Sequence, residues 1–216
     1  MTQVYAPSDL TTPTRHRERV GYDKAAVHAV LDEALHCDVA FIRDGRPVCL
    51  PTMHARNGES IYVHGSSGGR FALLDGEPIC ITVTLLDSLV LARSWFSHSV
   101  GHRSVVAHGT ARVVRDPEER LAAMRALIEK MYPGRAEDSR PPNAKEHAAT
   151  AVVALELEAV SFKRRGDEVG DEESDLTGPY WAGTIPVTLQ RGTVRTAPDV
   201  PAGVKMPKGL ECGGLG

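Results

Sequence analysis

The spacing of apolar residues along this chain changes several times, and each change marks an element. In KAAVHAVLDEALHC, residues 24–37, Val27, Val30, Leu31, Ala34 and Leu35 recur at i, i+3, i+4, i+7 and i+8. That is one face of a helix, with Asp23 as its N-cap. Two apolar runs then meet at Asp44-Gly45 in VAFIRDGRPVCLP, a hairpin signal because both turn residues tolerate positive φ. Further strands are predicted in SIYVHG, PICITVTLL, LVLARSW, RSVVAHGTARVV and AVVALELEAVSF. PICITVTLL is partly continuous and partly alternating, the pattern of a strand buried on most of both faces. A second helix is predicted over DPEERLAAMRALIEKMYPG: Asp116 caps it, Pro117 takes the first position, and Glu119 completes a capping box. Its buried stripe is Leu121, Met124, Leu127, Ile128 and Met131, and Gly134 follows its end. A short helix is expected in AKEHAAT.

Six or so strands at short spacing, interrupted late by helix, predict a mainly β fold with helices packed outside a barrel, rather than an alternating βα sheet. Residues 1–20 are polar and rich in Thr and Pro, and read as an arm; residues 21–190 form the folded domain. Residues 191–216, rich in Gly and Pro without a period, read as an extended or disordered tail. Between them, the acidic stretch from Gly166 closes on the aromatic pair Tyr180 and Trp181.

Composition narrows the function classes. With 216 residues and 42% hydrophobic side chains, one compact core is the default. A net charge of −3 provides no broad basic field, which argues against a nucleic-acid or membrane-surface partner. A local basic pocket for a small anion stays open. Cys37, Cys49, Cys80 and Cys212 form no CxxC pair and read as reduced core thiols. No stretch reaches the ~18 apolar residues of a membrane span, and the N-terminus has no signal-peptide pattern, so a cytoplasmic, soluble protein is expected.

The chemical candidates centre on HGSSGGR, residues 64–70. Alone it reads first as a glycine-serine turn, since such turns are common and most bind nothing. Arg70 at the start of a short helix, RFALL, also allows backbone N–H groups, the Ser66 and Ser67 hydroxyls and a guanidinium to converge on one phosphate. The stretch is neither a Walker A sequence nor a GxGxxG turn, and a mononucleotide phosphate fits it better than a triphosphate. His98 and His102 stand four apart, but Gly101 argues against helix between them and no carboxylate or Cys motif accompanies them, so no metal site is expected. No GxSxG is present for a nucleophile elbow. Trp181 is suited either to stacking on a planar ligand or to filling a core gap.

Taken in order, DGRPVCLPTMHARNGESIYVHGSSGGR, GEPICITVTLLDSLVLARSWFSHSVGHRSVVAHGTARVV, DPEERLAAMRALIE, VSFKRRGD and DEESDLTGPYWAGTIPV resemble the pyridoxamine 5′-phosphate oxidase-related flavin-binding proteins, in the branch that includes nitroimidazole reductases. The resemblance covers roughly residues 15–190. It implies a six-stranded antiparallel FMN-binding split β-barrel with peripheral helices, and a homodimer with two flavins at its interface. By position, it implies that Val48, Leu50, Pro51 and Thr52 run along the flavin ring. It assigns Val63, His64, Gly65, Ser66, Ser67, Gly69 and Arg70 to the ribityl chain and phosphate. Arg103 and Ser104 correspond to a flavin-facing strand of the other subunit, and Lys163 and Trp181 to positions near the cofactor. His64 and His102 are the candidate proton donors. The chain departs from many relatives in having Gly68-Gly69-Arg70 where they carry Ser-Arg, and His102 where a Tyr is common.

The activity so implied is an FMN-dependent oxidoreductase passing electrons from a reduced nicotinamide or a substrate to a small planar acceptor such as a nitroaromatic. Pyridoxamine-phosphate oxidation is disfavoured, because no second set of basic residues for a substrate phosphate is visible. A deazaflavin-dependent reductase and a non-catalytic flavin or haem carrier are the alternatives; for haem, no axial-ligand motif stands out.

Overall fold

The computed structural model describes residues 3–207 and 210. Its elements run β1 (Val20–Gly21), α1 (Lys24–Glu33), β2 (His36–Arg43), β3 (Arg46–Asn57), β4 (Ser60–Ser66), β5 (Pro78–Leu91), β6 (Ser99–Thr110), β7 (Arg112–Val113), α2 (Pro117–Met131), α3 (Ala144–Ala149), β8 (Thr150–Glu156), β9 (Ala159–Arg165) and β10 (Gly183–Pro186). The ten strands pair antiparallel in the order β1-β9-β6-β5-β2-β3-β4-β8-β7, with β10 added to β5. The mainly β architecture with peripheral helices agrees with a split barrel, with ten strands rather than six.

The β2–β3 hairpin turns at Asp44 and Gly45, with φ of 51° and 71°. Both values are positive, as a two-residue type I′ turn requires. Helix α1 is capped by Asp23, whose carboxylate accepts from the Ala26 N–H at 2.8 Å, and it ends at Glu33 rather than at Cys37. The reason is inward alternation: Cys37, Val39 and Phe41 all enter the core from β2, which takes them from the helix. Two predicted strands, PICITVTLL and LVLARSW, are one long strand, β5, joined through a bulge between Leu86 and Ser88. The end of LVLARSW is a 3₁₀ turn, Trp95–Ser97, capped by the Ser94 hydroxyl. AVVALELEAVSF, conversely, is divided at Leu157 and Glu158 into β8, which pairs with β4, and β9, which pairs with β6.

The main core gathers Val27, Val30 and Leu31 of α1 onto Val39, Ile61, Val63, Ile81, Val83, Val105, Val153 and Leu155. A smaller cluster, Tyr62, Val114, Ala123, Val152 and Ala154, lies under α2. Of the predicted α2 stripe, Leu127 is buried and Met124 partly so, whereas Leu121, Ile128 and Met131 are exposed. Glu119 does not close a capping box either. Asp116 accepts from its N–H at 2.7 Å, but its carboxylate turns to the Tyr62 hydroxyl at 2.9 Å and to Arg112. A capping box is formed at α3 instead, by Asn143 and Glu146.

Near the N-terminus, Tyr5 is buried and its hydroxyl donates to Glu59 at 2.9 Å. Among the cysteines, Cys37 is buried, Cys80 half-buried and Cys49 exposed; only Cys37 is a core thiol in the full sense, and Cys212 lies outside the described residues. Among the described residues, no helix is long and apolar enough to cross a membrane.

Candidate functional site

A divergence between two strands creates the site. Residues 46–53 of β3 pair with β2, and residues 54–57 pair with β4. β4 continues past Val63 against β8 alone. The first half of β3 therefore has an edge without a strand partner among the described residues. A two-residue turn closes on a hydrogen-bonded pair, here Arg43 and Arg46, and such pairs alternate along the ladder. Even-numbered residues of β3 thus bond to β2, and the backbone groups of residues 47, 49, 51 and 53 face the open edge. Pro47 and Pro51 have no N–H to leave unpaired there, which is why proline is tolerated in this strand. The edge presents the N–H groups of Cys49 and Met53 and the carbonyls between them. Sequence reasoning named Val48, Leu50, Pro51 and Thr52 but missed these two donors; the spacing of the prolines relative to Asp44-Gly45 was the available signal.

The side chains divide by parity. Val48 and Leu50 pack against the core, whereas Cys49 and Pro51 are exposed on the outer face. Beyond the divergence, Val63 is buried inward and His64 is exposed on the opposite face. Gly65 follows on the inward side, where an added Cβ would stand 3.0 Å from the Phe71 ring. That close approach seats Phe71 in the core and fixes the 3₁₀ turn Arg70–Leu73 against β4.

The loop between them is less open than its composition suggests. The Ser67 N–H donates to Ala149 O at 2.8 Å, the Gly69 N–H to Ser66 O at 2.8 Å, and the Gly68 N–H to Ser66 Oγ at 3.3 Å. Three amides expected to face a phosphate are occupied in holding the loop's own shape. What the loop offers outward is the Ser67 hydroxyl and the Arg70 guanidinium, both on exposed residues. Arg70 faces a cavity of about 510 Å³ lined also by Arg43, Arg46, Pro47, Val48 and Leu73, with Asp44 at its edge. Arg43 and Arg46 are the second set of basic residues that sequence reasoning did not find, because pairing across the turn brings them together.

Other expected residues lie elsewhere. Thr84, Ser104 and Lys163 align in one row across β5, β6 and β9, and Leu86, His102 and Arg165 in the next, on the outer sheet face. Arg103 points the other way: its Nη1 donates to Glu33 at 2.5 Å, its Nη2 to Glu33 at 2.9 Å and Asp87 at 2.8 Å, and its Nε to Asp87 at 3.1 Å. Its donors are consumed by the fold, so it is a structural residue of this protomer rather than a free ligand contact. Trp181, 70% exposed, stands over Gly183, which pairs with Leu91. Leu91 is twelve residues along β5 from Ile79, the strand position next to the hairpin end, with a bulge between them. Within one protomer, Trp181 and Arg70 do not converge.

A buried polar group neighbours the site's base. His54 has no exposure; its Nε2 lies 3.0 Å from Leu31 O and 2.9 Å from Lys130 Nζ, and its Nδ1 has no partner among the described residues. Burial, reinforced by the Lys130 charge, holds the imidazole down at about 4, and burial lowers the Lys130 amine to about 8. His54 is therefore neutral at neutral pH, its Nε2 set between the Leu31 carbonyl and the Lys130 amine.

A sequence profile described as Pyridoxamine 5′-phosphate oxidase matches residues 23–164. The chain is similar to the flavocytochrome Anf3 from Azotobacter vinelandii, at 37% identity and a TM-score of 0.91 over 98% of this chain and 100% of that one. It is similar also to an FAD- and haem-binding protein from Mycobacterium smegmatis, at 34% identity and a TM-score of 0.84 over 89% and 96%. A protein named for 5-nitroimidazole antibiotic resistance, from Bacteroides thetaiotaomicron, shares the fold at 19% identity and a TM-score of 0.55 over 67% and 85%. No sequence among the curated proteins matches. The open edge of β3, the arginine-lined cavity beside it and these similarities agree: the chain belongs to the pyridoxamine 5′-phosphate oxidase family of flavin-binding split barrels.

Proposed function

We propose that this chain is a flavin-dependent redox protein that holds the flavin phosphate at Arg70 and lays the ring along the open edge of β3. The observation that carries the reading is the divergence of β3 from β4, which leaves an unpaired backbone edge beside Arg70 and a cavity of about 510 Å³. A flavin ring needs a flat wall with backbone donors for its carbonyls and N5, and its phosphate needs a cation with bidentate geometry. Cys49 and Met53 offer the N–H groups, Val48 and Leu50 support the wall from behind, and Arg70 and Ser67 take the phosphate. When bound, the flavin supplies the electron transfer. The protein's part is to orient it, exclude water from one face, and place His64 at the rim as a proton donor.

Ser104, Lys163, His102 and Trp181 enter this reading through a second copy of the chain. They occupy the outer sheet face, where Ile185, Leu89 and Val100 also align across three strands as an exposed apolar row. A homodimer covering that face brings the rows of one protomer to the β3 edge of the other, and leaves the acceptor side open to a small planar substrate.

Haem is the second reading, favoured by the names of the two relatives above 30% identity, a flavocytochrome and an FAD- and haem-binding protein. His64 fits an axial role in kind, as an exposed imidazole on the rim of the cleft. The test is the absorbance spectrum of the purified protein before and after incubation with FMN, FAD or haemin and desalting, with binding titrations of FMN and riboflavin. Retained flavin bands are expected. Arg70→Ala is expected to weaken FMN about 10- to 100-fold, the worth of charge-assisted hydrogen bonds, and to leave riboflavin unchanged. Failure to retain any flavin would overturn the reading, and equal losses of FMN and riboflavin would overturn the role of Arg70. A haem band retained by the protein and lost in His64→Ala would establish the second reading.

A further inference from the structure

Arg43 and Arg46 stand directly opposite each other across Asp44-Gly45. Like charges placed directly across a strand pair are unfavourable, so the hairpin by itself gains nothing from them. They continue the inward rows of β2 and β3 past Phe41 and Val48 to the cavity at the barrel mouth, which Arg70 joins from the 3₁₀ turn. Little in the chain answers their charge. The Asp44 carboxylate lies 3.6 Å from Arg43 but is 88% exposed, and among the described residues no carboxylate stands within ion-pair distance of Arg46 or Arg70. In the flavin reading Arg70 and Ser67 take the cofactor's phosphate, which leaves Arg43 and Arg46 without a ligand. This arginine fork stands where β3 begins, five residues from Pro51, the point midway between the Cys49 and Met53 N–H groups. Five residues span about 17 Å at the ordinary strand rise. A ligand that meets both the fork and the flavin ring must therefore be long. Beside the fork, Leu73 is 55% exposed, and Pro47 and Val48 complete an apolar wall.

We propose that Arg43 and Arg46 bind the 2′-phosphate of NADPH, so that the chain takes its electrons from NADPH in preference to NADH. The inference rests on the flavin reading above and names the donor that serves the same site. The two donors differ in one group: NADPH carries a phosphate monoester where NADH has a ribose hydroxyl. A monoester concentrates about −1.5 to −2 of charge on that group at pH 7, whereas each phosphate of the pyrophosphate link is a diester with a single charge. Two guanidinium groups facing each other across a turn match the concentrated charge, and arginine is the side chain that accommodates a 2′-phosphate in other dinucleotide sites. The span from the ring to the fork is one that an extended dinucleotide covers. With the nicotinamide over the ring, the donor runs along β3, its 2′-phosphate meets Arg43 and Arg46, and its adenine packs on Leu73.

The test is calorimetric titration of adenosine 2′,5′-bisphosphate and of AMP, which differ by that phosphate alone, into the flavin-loaded wild-type protein and the double variant Arg43→Gln/Arg46→Gln. Wild type is expected to bind the bisphosphate at least tenfold more tightly than AMP, and the double variant to lose that margin while holding FMN within twofold. Arg70→Gln is expected to do the reverse, losing FMN and keeping the margin. Michaelis constants for NADPH and NADH, read from reduction of the bound flavin, are expected to show the same margin in wild type and none in the double variant. Rising salt is expected to shrink it. Equal affinities for the bisphosphate and AMP in wild type, or a double variant that keeps the margin, would overturn the proposal. So would a double variant that loses FAD or FMN as strongly as the bisphosphate, which would assign the fork to the cofactor. Inorganic phosphate or pyridoxal 5′-phosphate competing as well as the bisphosphate would overturn it too, by assigning the fork to a small phosphate ester. Flavin retention is read separately from the absorbance spectrum: a wild-type protein that binds no flavin refutes the flavin reading, whereas a flavin-loaded protein without the margin refutes only the choice of donor. The melting temperatures of the variants, expected to be unchanged or slightly raised, separate lost binding from lost folding.

Discussion

Two places in this molecule concentrate cations, and they are built on opposite principles. At the C-terminal end of α1, Arg103 is divided between Glu33 and Asp87, and Lys130 donates to Leu31 O and lies beside His54. Each positive charge there meets a carboxylate, a helix-end carbonyl or a ring nitrogen, and the helix dipole adds to the attraction. At the barrel mouth, Arg43, Arg46 and Arg70 surround a cavity with one exposed carboxylate at its edge. The difference teaches how to tell an arginine spent on the fold from one left free to meet a ligand: not by burial, but by whether its partners come from its own chain.

The largest expected effect lies in the first region. His54 titrates near 6.5 in the unfolded chain and near 4 when folded, so between these values the unfolded state binds the additional proton. Stability is accordingly lost as pH falls from 6.5 towards 4, by about 3 kcal/mol at most from this group. Urea denaturation across that range is expected to show a steeper loss for wild type than for His54→Gln. The amine of Lys130 works in the same sense at higher pH: its folded value near 8 is below the ordinary one, so stability rises from about pH 8 upward. A flat profile for wild type from pH 6.5 to 4.5 would remove the buried His54–Lys130 pair from the comparison.

Next in size is the contrast between the arginines themselves. Arg103→Met leaves Glu33 and Asp87 facing each other without their cation, and is expected to cost about 2 kcal/mol, moderated by solvent at a partly exposed network. Arg43→Met and Arg46→Met are expected to change stability by less than about 0.5 kcal/mol, because each relieves the other's repulsion. Equal losses at both places would erase the distinction. A further substitution, intermediate in size, probes the geometry that brings the mouth arginines together. Gly45 sits at φ 71°, and Gly45→Ala is expected to destabilise by about 1 kcal/mol. Thermal denaturation reads that change, and no loss would mean that the turn tolerates a Cβ.

Much of the fold was legible because local signals agreed with the tertiary outcome. Asp23, Asp116 and Asp44-Gly45 act where their chemistry says they should. Other elements were decided by partners distant in sequence. Leu35, His36 and Cys37 continue a helical period, but the inward alternation of β2 prevails. The strands on either side of Asp87 are one, because a bulge absorbs the break in alternation. The site divides in the same way. The loop at 64–70 is visible as a motif, yet its amides turn inward, two to Ser66 within the loop and one to Ala149 of α3, more than eighty residues away. Arg103 looked like a ligand residue and is a bracket for α1, since nothing in RSVV announces Glu33 or Asp87. Arg43 and Arg46 gave no signal as separate letters and became one as a cross-strand pair.

Strand β10 carries a last consequence. β2 covers β5 only at Ile79–Thr82, and Ser88–Leu91 is covered by β10, which lies beyond the portion of the chain that the family profile matches. A chain trimmed at the profile's boundary would bare four residues of backbone beside Leu89 and Val100, the kind of sticky margin from which strands of different molecules polymerise. The smallest self-sufficient form of this protein therefore extends to Pro186, about twenty residues past where the shared pattern stops. Those residues act as a selvedge on the sheet, finishing an edge that the common fold leaves raw.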